Sequence, residues 1–228
     1  EPSRERVKNM YGIHVSDNNV DVVDAVDVLV LAVKPQYYES VITLIKDHIR
    51  ADQLIITIAP GKTLSWLSEK FGKDVKIVRT MPNTPALVGE GMTGATPNEF
   101  VTEAELKYVC EILSGFSKVE VISEKLMDTV VAVSGSSPAY VFMFIEAMAD
   151  AAVEQGMPRA QAYKFAAQAV MGSAKMVLET GKHPGELKDM VCSPAGTTIK
   201  AVRVLEKEGL RSAVIEAMDA CVDAAKGM

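Results

Sequence analysis

Cys192-Ser193-Pro194-Ala195-Gly196-Thr197-Thr198 is the segment densest in groups that could do chemistry. It joins two predicted helices and sets Gly-Thr-Thr at the N-terminus of the second. The first N–H groups of a helix have no partner within it, and together with the helix dipole they make a carboxylate or phosphate site. Thr197 and Thr198 add hydroxyl donors beside those amides. A plain cap needs only one Ser or Thr, so the density of Ser, Gly and Thr favours anion binding. No neighbouring His or Lys obviously lowers the pKa of Cys192, which argues against a thiolate nucleophile.

Four other segments admit two readings each. Ala32-Val33-Lys34-Pro35 sits where a strand meets its following helix. Its backbone and Lys34 could touch a phosphorylated cofactor, or it could be an ordinary strand stop with a solvated Lys. Ile58-Ala59-Pro60-Gly61 is a tight turn that lets a ligand approach the backbone, but Pro-Gly is also common turn chemistry. In Met81-Pro82-Asn83-Thr84-Pro85 two prolines hold a polar pair extended, which suits a pocket wall or a plain turn. Ser134-Gly135-Ser136-Ser137-Pro138-Ala139-Tyr140 precedes a long helix, and Ser137-Pro138 is a good cap and first-turn pair. It lacks the G-x-S-x-G elbow of a serine hydrolase.

These segments need elements to hold them. Val28–Val33, Leu54–Ala59, Val75–Met81, Met92–Ala95 and Val119–Ile122 read as strands, the first two as continuous apolar runs covered on both faces. Between them lie predicted helices at 37–49, 64–71 and 102–113. Thr63 is a plausible cap, and Thr102 with Glu105 has capping-box spacing. Pro2–Met10 is a polar, helix-like start. Strands alternating with helices predict a mainly parallel sheet, whose ligands bind outside the carboxyl ends of the strands. From Glu124 onward there is no convincing strand. Helices are expected at 138–155, 159–178, 184–190, 196–208 and 210–225. The domains are therefore 1–122, α/β, and 123–228, all-α. The helical domain is too small to bury all its apolar positions alone and is expected to bury the remainder against a second copy.

Composition narrows the classes. With 24 basic against 30 acidic residues the net charge is −6, and no Lys/Arg cluster marks a nucleic-acid surface. Unbroken apolar runs fall far short of the roughly 20 residues a bilayer requires, so no membrane span is expected. The three cysteines lack CxxC spacing and the three histidines are scattered, so neither a disulfide framework nor a metal site is indicated. A reducing cytoplasm fits. The opening residues lack the pattern of a signal peptide.

Taken together, the segments resemble the pyrroline-5-carboxylate reductases, the proline-forming enzymes, nearly end to end. Residues 183–206 match that family's helical signature, and AVKP at 32–35, MPNTP at 81–85 and SGSSPAY at 134–140 match its blocks in order. The resemblance implies a Rossmann-like domain, a helical dimerisation domain, and a homodimer or a higher oligomer of dimers. It implies NAD(P)H-dependent reduction of L-1-pyrroline-5-carboxylate to L-proline, with NADP as the expected cofactor and NAD as the alternative. By position, Asn19, the turn Ala32, Val33, Lys34 and Pro35, and the turn Pro60-Gly61 would touch the cofactor. Ser193, Gly196, Thr197 and Thr198 would bind the substrate carboxylate, Thr198 also hydrogen-bonding the ring nitrogen as the catalytic residue. Glu124 aligns near the site and is expected among the substrate-binding residues. No strongly placed acid is visible, so water is the expected proton source.

Three departures stand out. The family's first strand and G-x-G-x-x-G turn do not occur in the sequence, so a chain beginning at Glu1 is expected to bind dinucleotide weakly. Pro60 stands where the family has a small residue, which is expected to shift one cofactor contact. Ala195 replaces a common Gly, and that position does not easily adopt positive φ; the departures at Pro60 and Ala195 are both expected to be tolerated. The alternatives are a non-catalytic dimerisation fragment and another imine or hydroxy-acid dehydrogenase. Ser3, Arg4 and Arg6 fit a cofactor phosphate or solvated helix positions equally, so NADPH and NADH are not distinguished.

Overall fold

In the computed structural model, which describes residues 2–227, the apolar runs form one five-stranded sheet in the order β1-β2-β3-β4-β5. Glu1 and Met228, the outer limits of the two expected domains, lie outside the described residues. The strands are β1 (Val28–Leu31), β2 (Leu54–Thr57), β3 (Lys76–Met81), β4 (Gly91–Pro97) and β5 (Ser117–Val121). β1, β2 and β3 pair in parallel, with Leu29 opposite Ile55 and Ile55 opposite Ile77. β4 runs antiparallel to β3, and β5 parallel to β4. The reversal has a simple cause. Only residues 82–90 join β3 to β4, and a parallel return needs a crossover of about a dozen residues or more.

The helices of this part are α1 (Pro2–Tyr11), α2 (Asn19–Ala25), α3 (Tyr38–Ile45), α4 (Leu64–Phe71) and α5 (Glu103–Leu113). On one face of the sheet, Leu29, Leu31, Ile55 and Ile77 pack with Val23, Tyr38, Ile42, Ile45, Leu67 and Phe71 from α2, α3 and α4. On the other, Leu54, Ile56, Val78 and Ala95 pack with Val109 and Leu113 of α5. Local chemistry sets the helix starts as expected. Thr63 accepts from the Trp66 amide, and Thr102 and Glu105 form a complete capping box. Gly72 ends α4 in the left-handed conformation.

The helical part comprises α6 (Met127–Val130), a π-helical turn (Val131–Ser136), α7 (Ser137–Glu154), α8 (Arg159–Thr180), α9 (Pro184–Val191), α10 (Thr197–Lys207) and α11 (Leu210–Lys226). Two compact units emerge, Glu1–Gly135 with Val222–Met228, and Ser136–Cys221. This division lies beyond the expected boundary at 122/123, because Glu124 and the following turns are tied to the sheet. Within the second unit, Arg159 pairs with Asp150 between α7 and α8, and few apolar side chains are buried. The stretch Glu124–Glu154 is helical over 31 residues and, by length and composition alone, long and apolar enough to cross a membrane. Inspection of unbroken apolar runs did not anticipate this, since single polar residues interrupt the pattern.

Candidate active site

Three strand exits of the sheet unit carry the segments singled out above. Val33 and Pro35 are half-buried after β1, whereas Ala32 and Lys34 are exposed. The Tyr37 amide donates to the Lys34 carbonyl at 2.9 Å. β2 exits into a turn where Gly61 has φ 74°, a left-handed conformation that glycine adopts without penalty. Tyr38, fully buried, ties the two exits together. Its hydroxyl donates to the Leu31 carbonyl at 2.6 Å and accepts from the Ile58 amide at 3.3 Å, and burial pushes its pKa up.

The far end of the same turn is held by Glu124. Its Oε1 accepts from the Leu64 amide at 2.7 Å and from Arg79 Nη1 at 2.8 Å. Arg79 is 2% exposed, on β3. Its Nε and the Oγ1 of its cross-strand partner Thr57 are buried without a protein partner. At the third exit, Asn83 clamps the Met81–Pro85 loop. Its Oδ1 accepts from the Met92 amide at 2.8 Å and its Nδ2 donates to the Ser134 carbonyl at 3.0 Å. Beside this loop, Val30, Ile56, Ile58, Pro82 and Thr84 line part of a mainly apolar cavity of about 470 Å³. Asn19 begins α2 with an exposed side chain, and Asn18, not Asn19, caps the helix through the Val20 amide. Among the described residues no hydrogen bond joins Asn19 to the β1 or β2 turn. Arg4 is paired with Asp17 at 3.0 Å.

In the helical unit, residues 193–196 form a tight turn. The Gly196 amide donates to the Ser193 carbonyl at 3.0 Å, Pro194 takes the second position and Ala195 the third with φ 60°. This is the pattern of a type II turn, whose third residue requires positive φ. The departure from glycine is accommodated, as expected, in a conformation that a side chain adopts only at a cost. The turn imposes it, at a cost of about 1–2 kcal/mol for a residue with a Cβ. A Cβ at Gly196 would lie 2.3 Å from Ser193 Oγ and 3.1 Å from the Ser193 carbonyl oxygen, so glycine here leaves the Ser193 hydroxyl its present position. Gly196 is also the N-cap of α10, and no side chain caps it. Thr197 is exposed and Thr198 half-buried in the first turn. The amides of the α10 start are thus available to an anion, as the sequence implied.

Sequence reasoning missed the side chains that hold these turns. Tyr38 and Arg79 fall inside a predicted helix and a predicted strand, and nothing local announces their distant partners. Among the described residues no group of three His, Cys, Asp or Glu could hold a metal ion, and Cys110, Cys192 and Cys221 are free thiols.

Comparison with known proteins agrees with this geometry. Residues 124–228 match the family profile described as pyrroline-5-carboxylate reductase dimerisation, and residues 1–61 match that of the coenzyme F420-dependent NADP oxidoreductases. The chain is 57% identical over 225 residues to the pyrroline-5-carboxylate reductase of Escherichia coli, covering 97% of this chain and 84% of that protein. It is 46% identical over 218 residues to that of Methanosarcina acetivorans, covering 96% and 81%. The crystal structure of the Plasmodium falciparum pyrroline carboxylate reductase with NADP bound superposes with a TM-score of 0.87 at 36% identity, covering 93% of this chain and 80% of that one. Identity of this extent over 97% of the chain disfavours the two alternatives, and the chain belongs to the pyrroline-5-carboxylate reductase family.

Proposed function

We propose that this chain reduces L-1-pyrroline-5-carboxylate to L-proline with NADPH, and that the uncapped start of α10 is its substrate-carboxylate site. The observation that carries the residue assignment is that bare N-terminus, preceded by the turn at Ser193–Gly196, in a chain 57% identical to a reductase of that name. The amides of the first turn and Ser193 hold the carboxylate, with Gly196 leaving room for the Ser193 hydroxyl. The Thr198 hydroxyl hydrogen-bonds the ring nitrogen. Two fixed points on a small ring determine which carbon faces the hydride donor.

Residues of the sheet unit fit NADP. The exits of neighbouring strands β1 and β2 are fixed to each other by Tyr38, Gly61 supplies a left-handed turn where backbone can approach a phosphate, and Lys34 is exposed beside them. Ala32, Val33, Lys34, Pro35, Pro60 and Gly61 would hold the cofactor, with Asn19 as a further contact. When bound, NADPH supplies the hydride. The protein's part is to orient and polarise. The imine reaches the site already protonated by solvent, so reduction at its carbon completes proline without an acidic side chain.

The helical part from 123 onward serves as dimerisation and substrate-binding domain, and the enzyme works as a homodimer in the cytoplasm. Supporting this are the dimerisation profile over 124–228 and the exposed apolar side chains of α7 and α8, among them Phe142, Met143, Phe165 and Leu178. That use of the Glu124–Glu154 surface also accounts for its apolar character without a bilayer. The test is NADPH consumption with pyrroline-5-carboxylate, run on this chain and on a form extended by the family's glycine-rich strand, turn and helix. Turnover by either form supports the reading. No turnover by both, each shown folded, refutes it.

A further inference from the structure

We infer that Arg79 and Glu124 are positioning residues for cofactor binding, acting through the Leu64 amide to fix the turn that follows β2; this rests on the assignment of that turn to the cofactor. The turn is pinned at both ends by side chains from other elements. At its start, the Ile58 amide donates to the Tyr38 hydroxyl at 3.3 Å. At its finish, the Leu64 amide donates to Glu124 Oε1 at 2.7 Å. Between these anchors lie Ala59-Pro60-Gly61-Lys62-Thr63, including the left-handed Gly61.

Leu64 opens α4, and its N–H is one of the amides a helix start leaves without an intrahelical partner. The cap residue Thr63 serves the Trp66 amide, so the Leu64 amide is left to a distant acceptor. Glu124 is 45 residues from Arg79 and 60 from Leu64 in sequence, yet one oxygen receives both donors. Arg79 in turn has its guanidinium buried on the central strand, where a lone charge is costly and must be matched. A buried ion pair is a poor device for stability alone, since well-packed apolar residues of similar volume often do as well. What this one adds is direction. It sets where α4 begins, and therefore the path of the turn.

Steady-state kinetics of the full-length enzyme test this, with KM for NADPH and for pyrroline-5-carboxylate measured separately. Glu124→Ala is expected to raise the NADPH KM about tenfold or more, while the imine KM changes by less than about twofold. Glu124→Gln keeps an acceptor oxygen and is expected to recover part of that loss. Leu64→Pro covers the event that Glu124→Ala fails to fold. It deletes the donor N–H at a helix position that tolerates proline, and Thr63, at φ −73° and ψ 158°, already has the conformation a residue before proline needs. Because it also removes a half-buried side chain that packs against the core, Leu64→Ala, which keeps the N–H, is its control. It should raise the NADPH KM in the same way. A rise in the imine KM instead makes Glu124 a substrate contact and overturns the inference. So does a lowered Tm with both KM values unchanged. Gly61→Ala, within the turn itself, separates the two layers. If it leaves the NADPH KM unchanged, the turn does not serve the cofactor and both readings fall. If it raises that KM while Leu64→Pro does not, only the strut is refuted.

Discussion

The two units of this chain treat their apolar residues in opposite ways. In the sheet unit, both faces are covered and residues such as Ile55, Ile77 and Val78 are wholly buried. In Ser136–Cys221 the buried hydrophobics are Ala149, Ala162, Ala166 and Leu187, while Leu178 is 83% and Phe165 68% exposed. Helix starts do not divide by unit, since His183 caps α9 and no side chain caps α3, but some of them make a contrast. α4 and α5 are capped by their own Thr side chains, whereas α10 starts bare. The sheet unit builds both of its apolar cores within itself. The helical unit leaves an apolar surface and a row of amides exposed, which the proposed second copy and substrate carboxylate would cover.

The contrast is open to attack, most directly through its energetics. Ile55→Ala is expected to cost about 2–5 kcal/mol at any protein concentration, because it empties a closed core. Leu178→Ala should cost under about 0.5 kcal/mol in a single chain and more as concentration rises, if a second copy covers it. Thermal melts over a range of concentrations check both; a Leu178→Ala penalty independent of concentration would remove the second copy from the account.

Next in size is the bare helix start. Thr198→Ala should lower kcat/KM by the equivalent of about 1–3 kcal/mol with little change in Tm, since cap and amides remain. Unaltered kinetics would take Thr198 out of the mechanism. On the capped side, Glu105 offers a pH test. The Lys76 ammonium, 2.5 Å away, and then the Thr102 amide hold its carboxyl at about 2, below the ordinary 4.5. A depressed carboxylate contributes stability above pH 4.5 that is lost as pH falls from there toward 2. Glu105→Gln should therefore flatten that part of the acid-unfolding curve and cost about 1 kcal/mol at neutral pH, capping box included. An unchanged acid limb would argue that the ion pair contributes nothing.

The smallest effect belongs to Ala195. Glycine there removes about 1–2 kcal/mol of left-handed strain but adds roughly 0.5–1 kcal/mol of unfolded-state entropy, so a net gain under about 1 kcal/mol is expected by chemical denaturation. A clear loss would mean that the methyl group itself makes a contact the turn needs.

Much of the architecture was legible because it depends on neighbours in sequence. The run at 54–59 announced a buried strand, and Thr63 and the Thr102–Glu105 pair announced helix starts that the structure places where expected. The run at 28–33 is a strand, but not one covered on both faces, since at the sheet edge Val30 stays 49% exposed. The bare start of α10 was legible too, from Gly-Thr-Thr after Ser-Pro. What escaped is what distance in sequence hides. The antiparallel β4 follows from the shortness of 82–90, and Asn83 reaches both β4 and the π-helical turn. That Ala195 itself takes positive φ, at 60°, is set by the turn around it and not by the residue, since an isolated alanine avoids that region. The sequence by itself determined the elements, the capped helix starts and the family, since periodicity, cap chemistry and ordered motifs are all local. Only the tertiary structure decided that a buried guanidinium on β3 and a carboxylate 45 residues later share the task of holding one turn, because a charge finds its partner through the fold and not along the chain.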